Sequence, residues 1–462
     1  MYKIFTGAVS FAALNFSITV AQANKPNIIV YITDDQSRND ASVYGAPSLL
    51  QTPNLDILAK DGLVFNNAFI ASPASAPSRA ALLTALMPAR NGAEANHSYP
   101  KSTDLYILGN LQKIGYEVSA FGKVAHEQSK PEMGFNYYKN VAQRGDLYGE
   151  VTKFYNTVSD KSKPQCIMVG DRRPHVPWIR KSIYDAEQVT LPGYFIDTKE
   201  TREFWGRYLT DITGVDNELG KVYQWAKGTF GDNFIFIYTS DHGGQWPFGK
   251  WNLYDAGIRV PLIISSPKIV KPGTRTDAMV SWIDILPTIF DVVGATIPEN
   301  IDGNSFRKVL EGKSGKHREW IFTTHSGDGK MNVYPIRSVR NHKFKYILNL
   351  YPENYHSNHS DILRKEDAGA YWNSWDEAAA VDPRAKAIIR KYYIRPAEEF
   401  YCLTNDPDEQ VNLINDKKYA GQIRLMRKKL EKWMEEQGDQ KTLFEKPYPV
   451  SGPRPGNTDV IQ

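Results

Sequence analysis

Ser75, Pro77 and Arg79 open an apolar helical run, and their types and spacing could serve a nucleophilic site. The serine hydroxyl is a small nucleophile precursor, and the arginine four residues later falls on the same helix face. An ordinary helix start explains the same pattern, with Ser75 or Ser78 as the N-cap and Pro77 in the first turn. The chemical interpretation therefore depends on reactive residues elsewhere in the chain.

Acidic residues follow two predicted strands, as Asp34–Asp35 and as Asp241–His242. Carboxylates that converge at strand ends repel each other unless a cation lies between them, and a hard divalent ion with oxygen ligands meets that need. Aspartate is also common in turns and at N-caps, so each pair taken alone is compatible with a turn. With Ser75, the two pairs predict a cation-dependent site at the edge of a sheet.

Three basic segments also follow predicted strands: Gly122–His126, Arg172–Trp178 and Phe248–Tyr254. Lysine is a point-charge donor suited to tetrahedral oxyanions, and histidine can carry protons near neutral pH. Any one of these cations could be an ordinary solvated loop residue. The recurrence of all three after strands favours an anion-binding pocket.

Short apolar strands alternate with helices along most of the chain. The predicted strands are residues 27–33, 116–121, 165–169, 233–239 and 260–265, and the predicted helices are residues 53–59, 78–86, 105–114, 201–230 and 283–293. Strands without polar alternation suit a parallel sheet that is buried on both faces. The pattern predicts an α/β fold in which helices cover both sides of the sheet.

The predicted organisation has four parts. Residues 1–23 resemble a secretory signal with a positive start, a short apolar run and an A-x-A cleavage site, which predicts export. Residues 24–312 form the α/β domain, residues 313–440 a smaller α+β unit, and residues 441–462 an extended tail. Within the smaller unit we expect strands at 319–324, 336–339 and 344–348, a long loop at 351–375 and a helix at 420–437.

The composition is that of an ordinary globular protein, with 41% hydrophobic and 23% charged residues among 462. A net charge of +4 gives no case for nucleic-acid binding. No segment after the signal reaches transmembrane length, so no membrane span is expected. Cys166, in an apolar strand, is expected to be a free core thiol rather than half of a disulfide.

An ordered set of motifs resembles the type I, formylglycine-dependent sulfatases of the alkaline-phosphatase-like superfamily, in a serine form. The motifs are Pro26–Val30 with Asp34–Asp35, Thr52–Asp56, Phe65–Phe69, Ser75–Arg79, Gly122–Lys123, Ser240–Gly243 and Phe400–Pro407. Gly122–His126 and Arg173–Pro177 resemble the iduronate-2-sulfatase branch, and Lys250–Tyr254 resembles sulfamidase-like members. The resemblance implies a mixed or parallel sheet sandwiched by helices, with a smaller C-terminal α+β subdomain.

The resemblance also implies a modified residue and a metal. Ser75 would be oxidised to formylglycine by a maturase, and the hydrate of that aldehyde would be the nucleophile. Ca²⁺ would be held by Asp34, Asp35, Asp241 and His242, together with the hydrate at position 75. Many relatives carry cysteine at position 75, so a serine form points to a bacterial source with its own maturase. Many also carry asparagine at position 242, where histidine supplies nitrogen rather than oxygen.

The remaining implied roles concern proton transfer and substrate binding. Arg79 would orient the hydrate, Lys123 and Lys250 would hold sulfate oxygens, and His126 would help to eliminate sulfate. Either His175 or Lys250 would protonate the leaving oxygen. Arg173 and Trp251 are the candidates for contact with the substrate.

The expected substrate is a sulfated polysaccharide or oligosaccharide, either glycosaminoglycan-like or algal, such as ulvan. The expected location is the periplasm or the exterior of a bacterium. A phosphomonoesterase or phosphonate hydrolase that uses Ser75 directly, with zinc, is the alternative within the same fold. A catalytically inactive protein that binds sulfated glycans is the alternative of a different class.

Overall fold

The computed structural model describes residues 25–47, 49–366 and 369–456, so the predicted signal at residues 1–23 lies outside the described residues. The larger of two sheets has nine strands. They are β1 Asn27–Thr33, β2 Leu63–Phe69, β3 Glu117–Gly122, β4 Tyr137–Lys139, β5 Gln165–Asp171, β6 Phe234–Ser240, β7 Arg259–Val260, β8 Leu262–Ser265 and β9 Thr274–Ser281.

The large sheet is mixed. Strands run in the order β4-β3-β5-β1-β6-β8-β2-β7, and β9 pairs with β2. The strands from β4 to β6 are parallel, whereas β8 is antiparallel to both β6 and β2. β1, β5 and β6 lack polar alternation because both faces of the sheet are covered.

Thirteen α-helices surround the sheets over the described residues. They are α1 Pro53–Asp61, α2 Ser75–Thr84, α3 Pro88–Asn91, α4 Gly109–Lys113, α5 Leu147–Thr157, α6 Lys199–Phe230, α7 Asp255–Ile258, α8 Ile285–Val293, α9 Arg307–Leu310, α10 His359–Leu363, α11 Trp372–Val381, α12 Pro383–Tyr393 and α13 Ala420–Gln437. None of the helices in this part of the chain is long and apolar enough to cross a membrane.

Alternate residues of β1 belong to two separate cores. Ile28 and Val30 belong to the same core as the apolar face of α8, whereas Ile29 and Tyr31 belong to the core that contains the C-terminal half of α6. Successive strand residues point to opposite faces, so this division shows that helices cover both sides of the sheet. The predicted α/β sandwich is confirmed.

The register of the parallel strands brings the acidic segments together. Thr33, the last residue of β1, lies opposite Ser240 of β6 and Asp171 of β5. The residues that follow, Asp34 and Asp241, therefore emerge side by side at the same edge of the sheet.

The smaller sheet is antiparallel and contains β10 Ile321–His325, β11 Ile336–Arg340, β12 Phe344–Asn349 and β13 Glu398–Cys402, in that order. The apolar face of α13 covers it, with Met426 and Leu430 packed against Val339, Tyr346 and Phe400. The expected C-terminal α+β subdomain is thus present. Both cysteines, Cys166 and Cys402, are buried and free, as expected for Cys166.

The prediction of a long loop at 351–375 is wrong. The segment contains α10, and it ends in the first turns of α11. α10 has only five residues, too few to show an apolar period in the sequence. A capping box of Asn358 and Asp361 stabilises its start. Tyr371, Trp372 and Trp375 are fully buried, so these aromatic residues belong to the core.

Candidate active site

Asp34, Asp35, Asp241 and His242 form one buried cluster at the end of β1 and β6. One ligand atom from each of the four lies within 4.8 Å of all the others. The Asp35 amide donates to Asp241 Oδ1 at 3.0 Å, and His242 Nε2 lies 3.5 Å from Asp35 Oδ1 and from Asp241 Oδ2. Asp35 has φ 73°, a backbone strain that is typical of functional sites.

Burial and neighbouring charge shift the pKa of each group in this cluster. Burial raises the pKa of Asp35 and of Asp241. Burial would also raise the pKa of Asp34, but Lys123 and Arg79 hold it well below its usual range. Burial lowers the pKa of His242 to about 3, so its imidazole is neutral and can act as a ligand. Three crowded carboxylates and a neutral imidazole fit a divalent cation.

Ser75 is the first residue of α2, and its hydroxyl reaches this cluster. Its Oγ donates to Asp34 Oδ1 at 3.2 Å and lies 3.0 Å from His242 Nε2. Lys123 Nζ approaches the same Oγ at 3.3 Å. The helix that was predicted from Ser78 begins three residues earlier, so Ser75 itself stands at the positive end of the helix dipole.

Arg79 lies behind the cluster and is completely buried. Its Nε donates to Asp241 Oδ2 at 2.9 Å and its Nη2 to Asp34 Oδ1 at 3.2 Å. Its Nη1 donates to the carbonyls of Lys123 and Val124. In this arrangement Arg79 fixes two of the carboxylates and the segment that carries Lys123.

Two lysines flank the cluster. Lys123 Nζ lies 2.6 Å and 2.9 Å from the Asp34 carboxylate oxygens, and Lys250 Nζ lies 3.0 Å from both oxygens of Asp35. Lys123 follows β3, and Gly170 of the neighbouring strand β5 lies close to it. A Cβ on Gly170 would lie only 2.0 Å from the Lys123 carbonyl oxygen. The ends of β3 and β5 therefore lie at the same site as the ends of β1 and β6.

Two predicted histidines lie beside the lysines. Burial lowers the pKa of His175 to about 3 and that of His126 to about 2. The charges of Lys250 and Lys123 contribute to the lowered pKa of His175, and that of Lys123 to the lowered pKa of His126. Because both imidazoles are neutral, each has one nitrogen that can accept a proton.

The structure does not bring Arg173 into this group. Its Nε and Nη2 donate to the Asp171 carboxylate at 2.9 Å and 2.7 Å, and its guanidinium lies against Gly214 of α6. Asp171 also accepts from Tyr31 at 2.8 Å. Arg173 is therefore part of a buried ion pair beneath the site, and its expected contact with the substrate has no support here.

Trp251 lies next to the site but is itself buried. Its ring stacks on His359 at 4.7 Å, and Lys250 Nζ lies 5.1 Å from its centre. The indole Nε1 donates to Asp328 Oδ2 at 2.8 Å. A free aromatic face for a sugar, as expected from the sequence, is not present at this residue.

Four polar residues beside His126 and Trp251 could not be predicted from the sequence: Asn96, His97, Asp328 and His359. They come from three distant segments of the chain. None has a motif or follows an apolar strand, apart from the Gly-Asp-Gly turn around Asp328. No local signal identified them.

Comparisons with known proteins decide the family. The sulfatase family model matches residues 26–295, and a model of the C-terminal part of N-sulphoglucosamine sulphohydrolases matches residues 242–380. The chain belongs to the sulfatase family. It is therefore a sulfuric ester hydrolase.

Individual sulfatases resemble most of the chain. An ulvan-active sulfatase of Formosa agariphila is 30% identical over 429 residues, which cover 91% of this chain and 82% of that protein. Human N-sulphoglucosamine sulphohydrolase is 28% identical, covering 92% of this chain and 93% of that protein.

Solved structures confirm the fold. A putative sulfatase of Bacteroides thetaiotaomicron has a TM-score of 0.69 and 19% identity, covering 94% of this chain and 99% of that one. A phosphonate monoester hydrolase of Silicibacter pomeroyi has a TM-score of 0.68 and 17% identity, covering 90% and 96%. At these identities the likeness is one of fold alone.

Proposed function

We propose that this sulfatase is exported and hydrolyses sulfate esters of a sulfated polysaccharide or its oligosaccharides, with a formylglycine at position 75 and Ca²⁺. The observation that carries the proposal is the position of Ser75 Oγ. It lies within 3.3 Å of Asp34, His242 and Lys123, at the start of a helix. An anion that forms there is stabilised from several sides at once.

With Asp34 and His242 holding the cation, an unmodified serine at position 75 would have no free base beside it. Serine is a poor nucleophile without one. Oxidation of the Ser75 alcohol to an aldehyde removes two hydrogens, and hydration gives two hydroxyls on one carbon. One hydroxyl loses its proton to water as its oxygen bonds to sulfur, and the bond between sulfur and the sugar oxygen breaks. Lys250, or His175 once it is protonated, gives the departing sugar oxygen its proton. The second hydroxyl then loses its proton to His126 as its oxygen forms the C=O bond, the C–O bond to sulfate breaks, and sulfate leaves.

The cation would be held by Asp34, Asp35, Asp241 and His242, with an oxygen of residue 75. Such an ion supplies charge neutralisation for sulfate and acidifies the attacking hydroxyl. Side chains of the protein would position the carboxylates and the sulfate group. Arg79 holds two of the carboxylates, and Lys123 and Lys250 lie on either side to receive sulfate oxygens.

The proposed substrate class is based on the names of two relatives and on the expected export of this enzyme. One relative is named for ulvan and another for N-sulphoglucosamine, and both are sulfated carbohydrates. A signal at residues 1–23 would bring the enzyme to external polymers, in the periplasm or outside the cell. A bacterial maturase that accepts serine would be the partner in its synthesis.

Sulfate release from a panel of defined ulvan and glycosaminoglycan oligosaccharides tests the proposal. We expect release from protein co-produced with a serine-accepting maturase, and at least about a hundredfold less from Ser75→Ala. Ser72→Ala, a neighbour outside the cluster, is the matched control and should retain activity. Equal release by the wild type and Ser75→Ala would refute the proposal.

The second candidate is the alternative that the sequence left open, hydrolysis of phosphate or phosphonate esters by unmodified Ser75, whose Oγ lies 3.0 Å from the His242 imidazole. A zinc site would want more nitrogen ligands, and the described cluster contains one histidine. Turnover of phenyl phosphonate esters by protein without a maturase would favour this candidate. Specific release of sulfate only after maturation would exclude it. A binding protein without activity would release neither product.

A further inference from the structure

Basic residues are concentrated in α13 and in the single 3₁₀ turn that precedes it, Lys417–Tyr419. Residues 417–432 contain seven lysines and arginines and one acidic residue, which gives this segment a net charge of +6. The entire chain of 462 residues has a net charge of only +4. The rest of the chain is therefore slightly acidic, and the positive charge is a local property of this segment.

Five of these seven bases are exposed: Lys417, Lys418, Arg424, Lys428 and Lys432. Lys432 Nζ lies 3.5 Å from a carboxylate oxygen of Glu436. Over the parts of the chain that the structure describes, the other four form no ion pair with a carboxylate. Their charges are therefore available to an anion from outside the protein.

The two remaining bases have structural partners. Arg427 Nη2 donates to Glu398 on β13, and Lys429 Nζ lies 4.7 Å from the centre of the Trp320 ring, next to β10. Both side chains are half-buried. These two bases therefore help to hold α13 on the smaller sheet, whereas the five exposed bases face solvent.

The order of charges in α13 is unfavourable for the helix itself. Its first turn contains no acidic residue and its last turn no basic residue, and Glu435 and Glu436 lie in that last turn. A helix dipole favours the opposite arrangement, with acids near the N-terminus and bases near the C-terminus. Arg424, Lys428 and Lys432 follow one another at intervals of four residues, so like charges are neighbours along one face and repel each other. Helix stability therefore does not explain this row of bases.

The exposed bases of α13 form one row along the side that faces away from the smaller sheet. The residues buried on the sheet side are Ile423, Met426, Leu430 and Met434. Because an α-helix rises about 1.5 Å per residue, the charges of the row recur about every 6 Å and extend over about 12 Å. A periodic row of this kind complements a linear polyanion, in which charges also recur, better than it complements a single small anion.

The C-terminal end of α13 is connected to a segment of the active site. Asp439, two residues after the helix, accepts from Arg337 Nη2 at 2.9 Å, and the same nitrogen lies 3.8 Å from Glu94. Glu94 lies two residues before Asn96, whose Oδ1 accepts from the amide of Ala76 in the first turn of α2 at 3.1 Å. A polymer bound at the start of α2 could therefore pass onto α13 at this end and meet the row of bases beyond it.

We propose that the exposed bases of α13 and of the turn before it hold a second stretch of the sulfated polysaccharide whose sulfate ester is bound at the active site. The inference rests on the proposed substrate class, a sulfated polymer. Lysine and arginine pair with sulfate and carboxylate groups through charge-assisted hydrogen bonds. Once one part of a chain is bound, contact at the second place is intramolecular, so a long chain binds more tightly than an oligosaccharide that reaches the active site alone.

Calorimetric titration of inactive Ser75→Ala protein with ulvan polymer tests this surface without turnover. Arg424→Gln/Lys428→Gln removes two charges of the row. Lys386→Gln/Arg390→Gln is the matched control, since those bases are also exposed and four residues apart, on α12. We expect a Kd about tenfold higher in the α13 variant, with the slope of log affinity against log salt less steep by about two, and no change in the control. An unchanged Kd in the α13 variant, or equal losses in the two variants, would overturn the inference.

Kinetics of the matured enzyme separate this surface from the catalytic groups. The α13 variant should raise KM for ulvan polymer about tenfold and leave kcat unchanged, and it should leave both constants unchanged for a sulfated disaccharide, which is too short to reach the row. Equal losses on polymer and disaccharide would contradict the inference. No sulfate release from either substrate by the wild type would instead refute the proposed function, and the binding measurement on the inactive protein would still decide the role of α13.

The same titrations decide between a polysaccharide and other polyanions. We expect ulvan to bind more tightly than duplex DNA or phosphatidylserine vesicles at equal salt, because only ulvan also presents sulfate esters to the active site. Tighter binding of the DNA or of the vesicles would overturn the choice of partner.

Discussion

At the scale of single residues, Arg79 shows how the site is held together. It is fully buried and bridges Asp34 and Asp241, two carboxylates that would otherwise repel each other. Removal of one member of a buried ion pair leaves uncompensated charge, which costs far more than the loss of a surface pair. The spacing of Ser75 and Arg79 was readable in the sequence, whereas the partners of Arg79 depend on the strand register.

Arg79→Leu should lower the free energy of unfolding by about 3–5 kcal/mol, because Asp34 and Asp241 lose their shared counter-charge. The measurement is chemical denaturation followed by circular dichroism. Arg307→Ala removes a half-exposed arginine paired with Asp291 and Glu311, and should cost under about 1 kcal/mol. Similar losses in the two variants would contradict the assignment of Arg79 as the central counter-charge.

A buried histidine outside the site gives a pH prediction. Burial lowers the pKa of His325 to about 4, below its unfolded value of about 6.5. The unfolded state therefore binds a proton more readily, and stability is lost as the pH falls from about 6.5 towards 4. His325→Gln should reduce the loss of unfolding free energy between pH 6.5 and 4.5 by about 2 kcal/mol. An identical pH dependence in the variant and the wild type would count against a buried neutral His325.

At the scale of elements, the helices and strands that could be predicted from the sequence are those with a clear apolar pattern. β1 and α13 were placed with their observed bounds, since one is a continuous apolar run and the other a clear amphipathic period. β9 and α12 were missed, and α10 was taken for loop. β9 is exposed and polar over its first half, and α10 is shorter than two turns, so neither has a detectable period.

α13 offers a matched pair of leucines. Leu430 is fully buried against the smaller sheet, and Leu425, on the same helix, is 49% exposed. Leu430→Ala should lower the free energy of unfolding by about 2–5 kcal/mol because it leaves a cavity in the core. Leu425→Ala should change it by less than about 0.5 kcal/mol. Equal effects would mean that α13 does not pack on the sheet as described.

At the scale of the whole molecule, the active site draws on both parts of the chain. The carboxylates, Ser75 and the lysines follow strands or open a helix, so sequence patterns could place them together. Asp328 reaches the site from the C-terminal part, across 77 residues from Trp251 and 232 from Asn96. Contacts over such separations leave no trace in local periodicity, which explains why they emerged only from the structure.

Removal of the proposed Ca²⁺ should affect the stability of the whole fold. A ligand that binds only the folded state stabilises it in proportion to the logarithm of its concentration over its Kd. A chelator should therefore lower the thermal midpoint, and added Ca²⁺ should restore it. Asp241→Asn should abolish this response, and Asp216→Asn, away from the cluster, should keep it. A chelator response in Asp241→Asn equal to that of the wild type would place the ion elsewhere.

The mass of the tryptic peptide that spans residues 61–79 is the most direct test of the central claim, that Ser75 is a modification site rather than a nucleophile in its own right. The protein is made with a serine-accepting maturase, and fragment ions distinguish Ser75 from Ser72 and Ser78. We predict a peptide two hydrogens lighter than the encoded sequence, with the loss at Ser75 and sulfate release in proportion to the modified fraction. An unmodified Ser75 in fully active enzyme would contradict the account.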